Sequence, residues 1–217
     1  MRNENKRNCY TATGIFAAFL HWTVLIHFVD VKAIGPYGST VGFATVNRFV
    51  HELTGVHMYL YHVTDWLGII PICCMVGFTI LGLQQWINRK HILKVDYSIL
   101  ILGVFFFIVI SLYILFEFYI VNYRPVLING VLEASYPSST TMLVMTVMPT
   151  TNIQFNSRIK CTVTRQLTAF VINAYVVFMV FGRLIAGVHW FSDIVGGALF
   201  SIALVRAYRE VVGLVDK

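Results

Sequence analysis

The chain has 217 residues, of which 58% are apolar or aromatic and 12% charged, about half the charged share of an average soluble domain, roughly 25%. A mean hydropathy of +0.74 points the same way, and together these figures exclude a water-soluble globular fold and a disordered chain. The net charge of +6 reads as membrane topology rather than nucleic-acid binding, because excess Lys and Arg mark cytoplasmic loops. Cys9, Cys73, Cys74 and Cys161 form no CxxC pair, so neither a disulfide framework nor a zinc site is predicted.

Stretches free of Asp, Glu, Lys and Arg locate the spans, because a charge at mid-bilayer costs at least ~2.5 kcal/mol. In chain order they are Asn8 to Val29, Trp66 to Asn88, Tyr97 to Phe116, Ala134 to Ser157, Gln166 to Gly182 and Ile194 to Val205. The predicted fold is all-α, a six-span transmembrane helical bundle forming one domain over residues 1–217. Between the first two spans, Asn47 to Leu53 and the Tyr- and His-rich run up to Trp66 predict a short interfacial helix with aromatic residues at headgroup level. Twelve of the 16 basic residues fall at the N-terminus, in Arg89-Lys90-Lys94, in Arg158-Lys160-Arg165 and in Arg206-Arg209-Lys217. The positive-inside rule then puts both termini in the cytoplasm and leaves Lys32, Arg48, Arg124 and Arg183 on the outer side.

Three outer segments have the composition of a phosphate site. Asn122-Tyr123-Arg124-Pro125 follows the third span, Tyr136-Pro137-Ser138-Ser139-Thr140-Thr141 opens the fourth, and Gly182-Arg183 through His189 to Asp193 joins the fifth to the sixth. Two guanidiniums present planar donor forks that suit phosphate oxygens. Ser138 and Ser139 stand at a predicted helix N-terminus, where free N–H groups and the helix dipole favour an anion. His189 and Asp193 are four apart, so on a helical start the carboxylate accepts the imidazole N–H and turns the other nitrogen outward as nucleophile or base. Each piece alone has a structural explanation: a snorkelling anchor, a helix cap, a structural ion pair. Order, spacing and shared sidedness argue for a site. His51, His57 and His62 are further candidate proton donors, read first as structural or interfacial, and lack metal-ligand spacing; Gly77, Gly82 and Gly196-Gly197-Ala198 read as close helix packing.

The arrangement resembles the type 2 phosphatidic acid phosphatase superfamily of membrane lipid phosphatases, which also includes the vanadium haloperoxidases. The third signature of that family is matched at full spacing by Arg183, His189 and Asp193, and the resemblance runs from about Glu117 to Tyr208. It implies that His189 is the nucleophile that forms a phosphohistidine and that Asp193 orients it. It further implies that Arg124 and Arg183 neutralise the phosphoryl oxygens, that Ser138, Ser139 and Thr140 line the phosphate site, and that no metal or other cofactor takes part. The partner it implies is a membrane lipid carrying a phosphate or pyrophosphate, within the bilayer.

Three positions depart from the family pattern. Gly182 stands in place of Ser, Glu117 in place of a Lys seven residues before Arg124, and Thr140 in place of a second His that protonates the leaving oxygen. A threonine cannot donate that proton at neutral pH. A leaving group that is itself a phosphate depends less on protonation, so a lipid pyrophosphate is the favoured substrate. Glu117 is then either a replacement acid or an ion-pair partner of Arg124 or Arg183. The alternative function is a catalytically impaired relative that binds or transports phosphorylated lipid; an unrelated small transporter leaves the one-sided clustering unexplained.

Overall fold

The computed structural model describes the backbone of residues 2–215 and the side chains of residues 10–213. The side chains of Arg2, Lys6, Arg7 and Cys9, and all of Lys217, lie outside the described residues. Eight helices are described: α1 (Arg2–Ile26), α2 (Ala44–Thr54), α3 (Met58–Leu67), α4 (Ile69–Arg89), α5 (Tyr97–Phe118), α6 (Ser139–Arg158), α7 (Thr162–Ile185) and α8 (Phe191–Val215). Between α1 and α2 lies a small antiparallel pairing of β1 (Lys32–Ala33) with β2 (Thr40–Val41).

Every stretch read as a span falls on a long helix, and the fold is all-α. Four runs are long and apolar enough to cross a membrane: Met58–Arg89, which joins α3 to α4, and Tyr97–Phe118, Thr162–Ile185 and Phe191–Gly213. The apolar part of α1, Tyr10–Ile26, is shorter. α6 is 20 residues long but rich in threonine. Its Thr141, Thr146, Thr150, Thr151 and Gln154 are buried among neighbouring helices, so it needs little lipid-compatible surface of its own. Its start differs from the predicted one: helix begins at Ser139 instead of Ala134, because Pro137 disfavours helical geometry at the residue before it. α8 extends well past Val205, since Arg206 and Arg209 continue the helix and hold their charges at its far end. The single interfacial helix expected near Asn47 is two helices, α2 and α3, broken at Gly55, whose φ of 69° ends α2.

α6 is the central column, in contact with α4, α5, α7 and α8, while α1 lies along α8. Near the end where α5 finishes and α6 begins, Phe19, Phe116, Tyr136, Met142 and Phe200 form one buried cluster. Toward the opposite end Ile99, Leu102, Phe105, Val147 and Tyr208 form another. The outward face is apolar instead of polar: Phe107 and Phe170 are each 70% exposed, a surface that suits lipid and not water. This is an integral, multi-pass membrane protein. Gly196 sets the closeness of α8 to the loop before α6, since a Cβ there would lie 2.4 Å from the Tyr136 ring.

Candidate active site

The chain ends α5 and α7 and starts α6 and α8 at one end of the bundle, and Arg124, Arg183, His189 and Asp193 meet there. The segment after α5 folds back on itself: Arg124 N donates to Glu133 O (3.1 Å) and Ser135 N to Asn122 O (2.9 Å), which sets Arg124 beside Ser135. Arg183 comes from the last turn of α7, and His189 from the turn that leads into α8. Asp193 lies in the first turn of α8 and accepts the Trp190 N–H at 2.9 Å, a reverse cap that fixes both the helix start and the carboxylate. Asn47 of α2 completes the cap by accepting the Ser192 N–H at 3.0 Å.

Arg124, Arg183, His189 and Asp193 are all buried. Arg124 Nη1 and Arg183 Nη2 stand 3.3 Å and 3.5 Å from the same atom, His189 Nε2. On its other side, His189 Nδ1 lies 3.1 Å from the Ser135 carbonyl oxygen. A carbonyl only accepts and a guanidinium only donates, so the imidazole is neutral, with its proton on Nδ1 and its lone pair on Nε2. Burial, reinforced by the two guanidinium charges, holds the His189 pKa well below the usual value near 6.5, against the opposing pull of the Ser135 carbonyl.

The direct His189–Asp193 bond expected from i, i+4 spacing is replaced by a bridge. Ser135 Oγ donates to Asp193 Oδ2 at 2.5 Å and lies 3.0 Å from His189 Nδ1, where it accepts. The reason is local: α8 begins only at Phe191, so His189 and Asp193 do not share a helical face. Asn122 Nδ2 donates to Asp193 Oδ1 at 3.1 Å, so the buried carboxylate is well supplied with donors.

A cleft of about 220 Å³ opens onto His189 and Arg124, lined also by Glu117, Glu133, Ser135 and Ser139. Of the three predicted phosphate-lining residues, Ser139 is on this cleft. The Ser138 N–H is instead engaged by the Asp193 carbonyl at 3.1 Å, and Thr140 faces a second, apolar groove of about 630 Å³ between α4, α5 and α6. Glu117 reaches the cleft but makes no ion pair with either arginine among the described residues. Glu133 pairs with Arg124 Nε at 3.0 Å and Asp65 approaches Arg183 Nη1 at 3.7 Å. Arg183 also has the Tyr61 ring 4.9 Å from its guanidinium carbon and Thr64 Oγ1 at 3.4 Å. These contacts are long, and its buried Nε has no hydrogen-bond partner. A buried guanidinium so short of acceptors is suited to bind an anion. At Gly182, a Cβ would come within 2.8 Å of Thr64 Cγ2, so the close approach of α3 explains why no serine stands there.

Sequence reasoning missed Ser135, Asn122, Asn47, Glu133 and Asp65. Asn122, two residues from Arg124, and Ser135, next to Tyr136, adjoin the segments singled out; Asn47 and Asp65 are brought in by helices distant in sequence.

No curated protein matches the chain. Among solved structures it is similar to a transmembrane PAP2-type phosphatidylglycerolphosphate phosphatase from Bacillus subtilis, with a TM-score of 0.65 and 18% identity over 95% of this chain and 96% of that one. The model of the PAP2 superfamily matches residues 98–214, more than half of the chain and the whole of the segment that carries Arg124, Ser135, Arg183, His189 and Asp193. The chain belongs to the PAP2 superfamily.

Proposed function

We propose that the protein is a membrane phosphatase that releases phosphate from a lipid phosphate or lipid pyrophosphate by way of a phosphohistidine on His189. The observation that carries this reading is the convergence of two buried guanidiniums, that of Arg183 short of acceptors, on the lone pair of a neutral imidazole. When a phosphoryl group enters, its oxygens take over the Arg124 and Arg183 donors, Nε2 is released, and it faces phosphorus in line with the leaving oxygen. Ser135, the Ser135 carbonyl and Asp193 hold the Nδ1 proton and stabilise the imidazole as positive charge develops on it. Ser139, at the start of α6, adds a hydroxyl to the cleft.

The apolar groove supports a lipid substrate. It shares Tyr113, Ser139 and Met142 with the polar cleft, so a headgroup in the cleft and an acyl chain in the groove form one continuous occupant. The similar Bacillus protein is a phosphatidylglycerolphosphate phosphatase, and that lipid belongs in the assay. A pyrophosphate is the better substrate in this reading, because its leaving phosphate needs less protonation and Thr140 supplies none. The full arrangement proposed is one domain of six spans with both termini cytoplasmic and the site on the outer face.

The second reading, a silent relative that binds phosphorylated lipid, is favoured by Glu117 and Thr140. Phosphate release by purified protein from phosphatidate, phosphatidylglycerolphosphate and polyprenyl pyrophosphate separates the two. Release that is lost in His189→Ala is the expected result; binding without release from any of the three supports the silent reading.

A further inference from the structure

We infer that Asp65 is the proton donor to the leaving oxygen, and so the residue that admits lipid phosphomonoesters as substrates. The inference rests on the phosphatase reading above and on the direction in which the lipid must lie. In a phosphomonoester the leaving oxygen is the atom that carries the lipid. The acyl chains fit the groove between α4, α5 and α6, whose walls are Ile69, Ile72, Val76, Val109 and Leu143. The leaving oxygen therefore points from the phosphate in the polar cleft toward that groove, away from Nε2. The carboxyl group on the groove wall is Asp65, beside Ser139 and Thr140.

Asp65 and His189 are linked through one guanidinium: Asp65 Oδ1 is 3.7 Å from Arg183 Nη1, and His189 Nε2 is 3.5 Å from Nη2. A phosphoryl group bound to Arg183 is thus within reach of both the nucleophile and the Asp65 carboxyl. At 3.7 Å the Asp65–Arg183 contact is too long for a hydrogen bond, and phosphoryl oxygens that take over Arg183 Nη1 displace it. Its side chain is 58% exposed, which lets it exchange protons with solvent. Glu117 lines the cleft on the side of Arg124 and Glu133 and is absent from the groove.

The steps balance. The substrate oxygens take Arg183 from Asp65 and bring negative charge beside it, so the carboxylate takes up a proton from solvent; Nε2 then bonds to phosphorus, the bond from phosphorus to the lipid oxygen breaks, and that proton passes to the lipid oxygen, leaving a carboxylate. A water then enters, the carboxylate takes one of its protons as its oxygen attacks phosphorus, and the N–P bond breaks. Inorganic phosphate leaves, His189 is neutral and Asp65 is protonated again.

An alkoxide needs this proton far more than a phenolate or a phosphate does, so leaving-group selectivity is the test. Purified wild type, Asp65→Asn, Asp65→Glu and Glu117→Gln are compared on phosphatidate, on an aryl phosphate and on polyprenyl pyrophosphate. Asp65→Asn is expected to lower kcat on phosphatidate by about 10²-fold or more while the other two substrates are little affected. Asp65→Glu restores part of the phosphatidate rate, and Glu117→Gln leaves the ratio among substrates as in wild type. Equal loss on all three substrates makes Asp65 a positioning residue for Arg183 and overturns the assignment. No loss on phosphatidate, or the selective loss appearing in Glu117→Gln, overturns it as well. In each of those cases the phosphatase reading stands. If wild type releases phosphate from none of the three, that reading falls and takes this one with it.

Discussion

His189 is kept neutral by its surroundings, and two measurable consequences follow. Its pKa lies well below 6.5 because burial and the Arg124 and Arg183 charges all oppose protonation. Protonation is therefore cheaper in the unfolded chain than in the folded one. Stability from this residue is fully present above pH 6.5 and is lost progressively as the pH falls toward the depressed folded value. Thermal unfolding in detergent should show that acid-side slope, and His189→Gln should flatten it. The acid limb of kcat/KM, which reports the free enzyme, should likewise lie below pH 6.5; a limb at or above 6.5 contradicts a neutral buried nucleophile. Ser135 can be tested beside it. Its hydroxyl gives Asp193 a 2.5 Å hydrogen bond, and bonds to a charged group contribute about 1.5–3 kcal/mol. Ser135→Ala should lower kcat about 10- to 100-fold with KM nearly unchanged, because the Ser135 carbonyl still holds Nδ1. Ser135→Thr, which keeps the hydroxyl, should recover part of the rate. The sequence alone carried Arg124, Arg183, His189 and Asp193 through their spacing. Ser135 was hidden because its importance comes from a loop pairing that no spacing rule encodes.

Helix contacts carry these side chains into place, and α8 approaches the loop before α6 closely at the site. Gly196 faces Tyr136, whose hydroxyl lies 2.6 Å from Thr23 Oγ1 of α1. Any Cβ at position 196 pushes the buried Tyr136 ring, which sits next to Ser135 in sequence and against Phe116 at 5.5 Å between ring centroids. Gly196→Ala should therefore cost about 1–3 kcal/mol, the usual penalty of overpacking, and should lower activity through Ser135, with Tm and kcat falling together. A rise in Tm with activity intact would mean that α8 has slack against the loop. Helix positions were largely legible from charge-free runs, since length and apolarity are what a bilayer demands. Where α6 starts was less legible. Whether a helix can run back through Pro137 depends on the loop that receives the chain, and Ser135 is tied there to Asn122.

On the scale of the whole molecule, the site gathers at one end of the bundle and the basic clusters around Arg89, Arg158 and Arg206 at the other. Cys161 reports on the proposed orientation. It is exposed just ahead of α7, and the Thr164 hydroxyl together with the backbone N–H groups of Thr164 and Val163 lowers its thiol pKa. That combination favours the reactive thiolate. A membrane-impermeant maleimide, mapped by mass spectrometry, should modify Cys161 in inside-out vesicles and not in intact cells. Labelling of intact cells would reverse the proposed topology and put the site on the cytoplasmic face. The shortage of charge in the sequence made the membrane legible at once, and two of the four basic residues outside the clusters, Arg124 and Arg183, pointed to the site. The partners of those residues were not legible: Glu133 and Asp65 reach the two arginines from segments that the linear pattern separates.

The central claim is that His189 Nε2 takes the phosphoryl group, and trapping that group tests it most directly. Wild-type protein is mixed with a radiolabelled lipid phosphate or pyrophosphate, quenched within the first turnover and digested under alkaline conditions that preserve phosphohistidine. The expected result is an acid-labile, base-stable label on the peptide that contains His189, absent from His189→Ala together with phosphate release. Phosphate release that persists in His189→Ala, with no labelled peptide from the wild type, would contradict it.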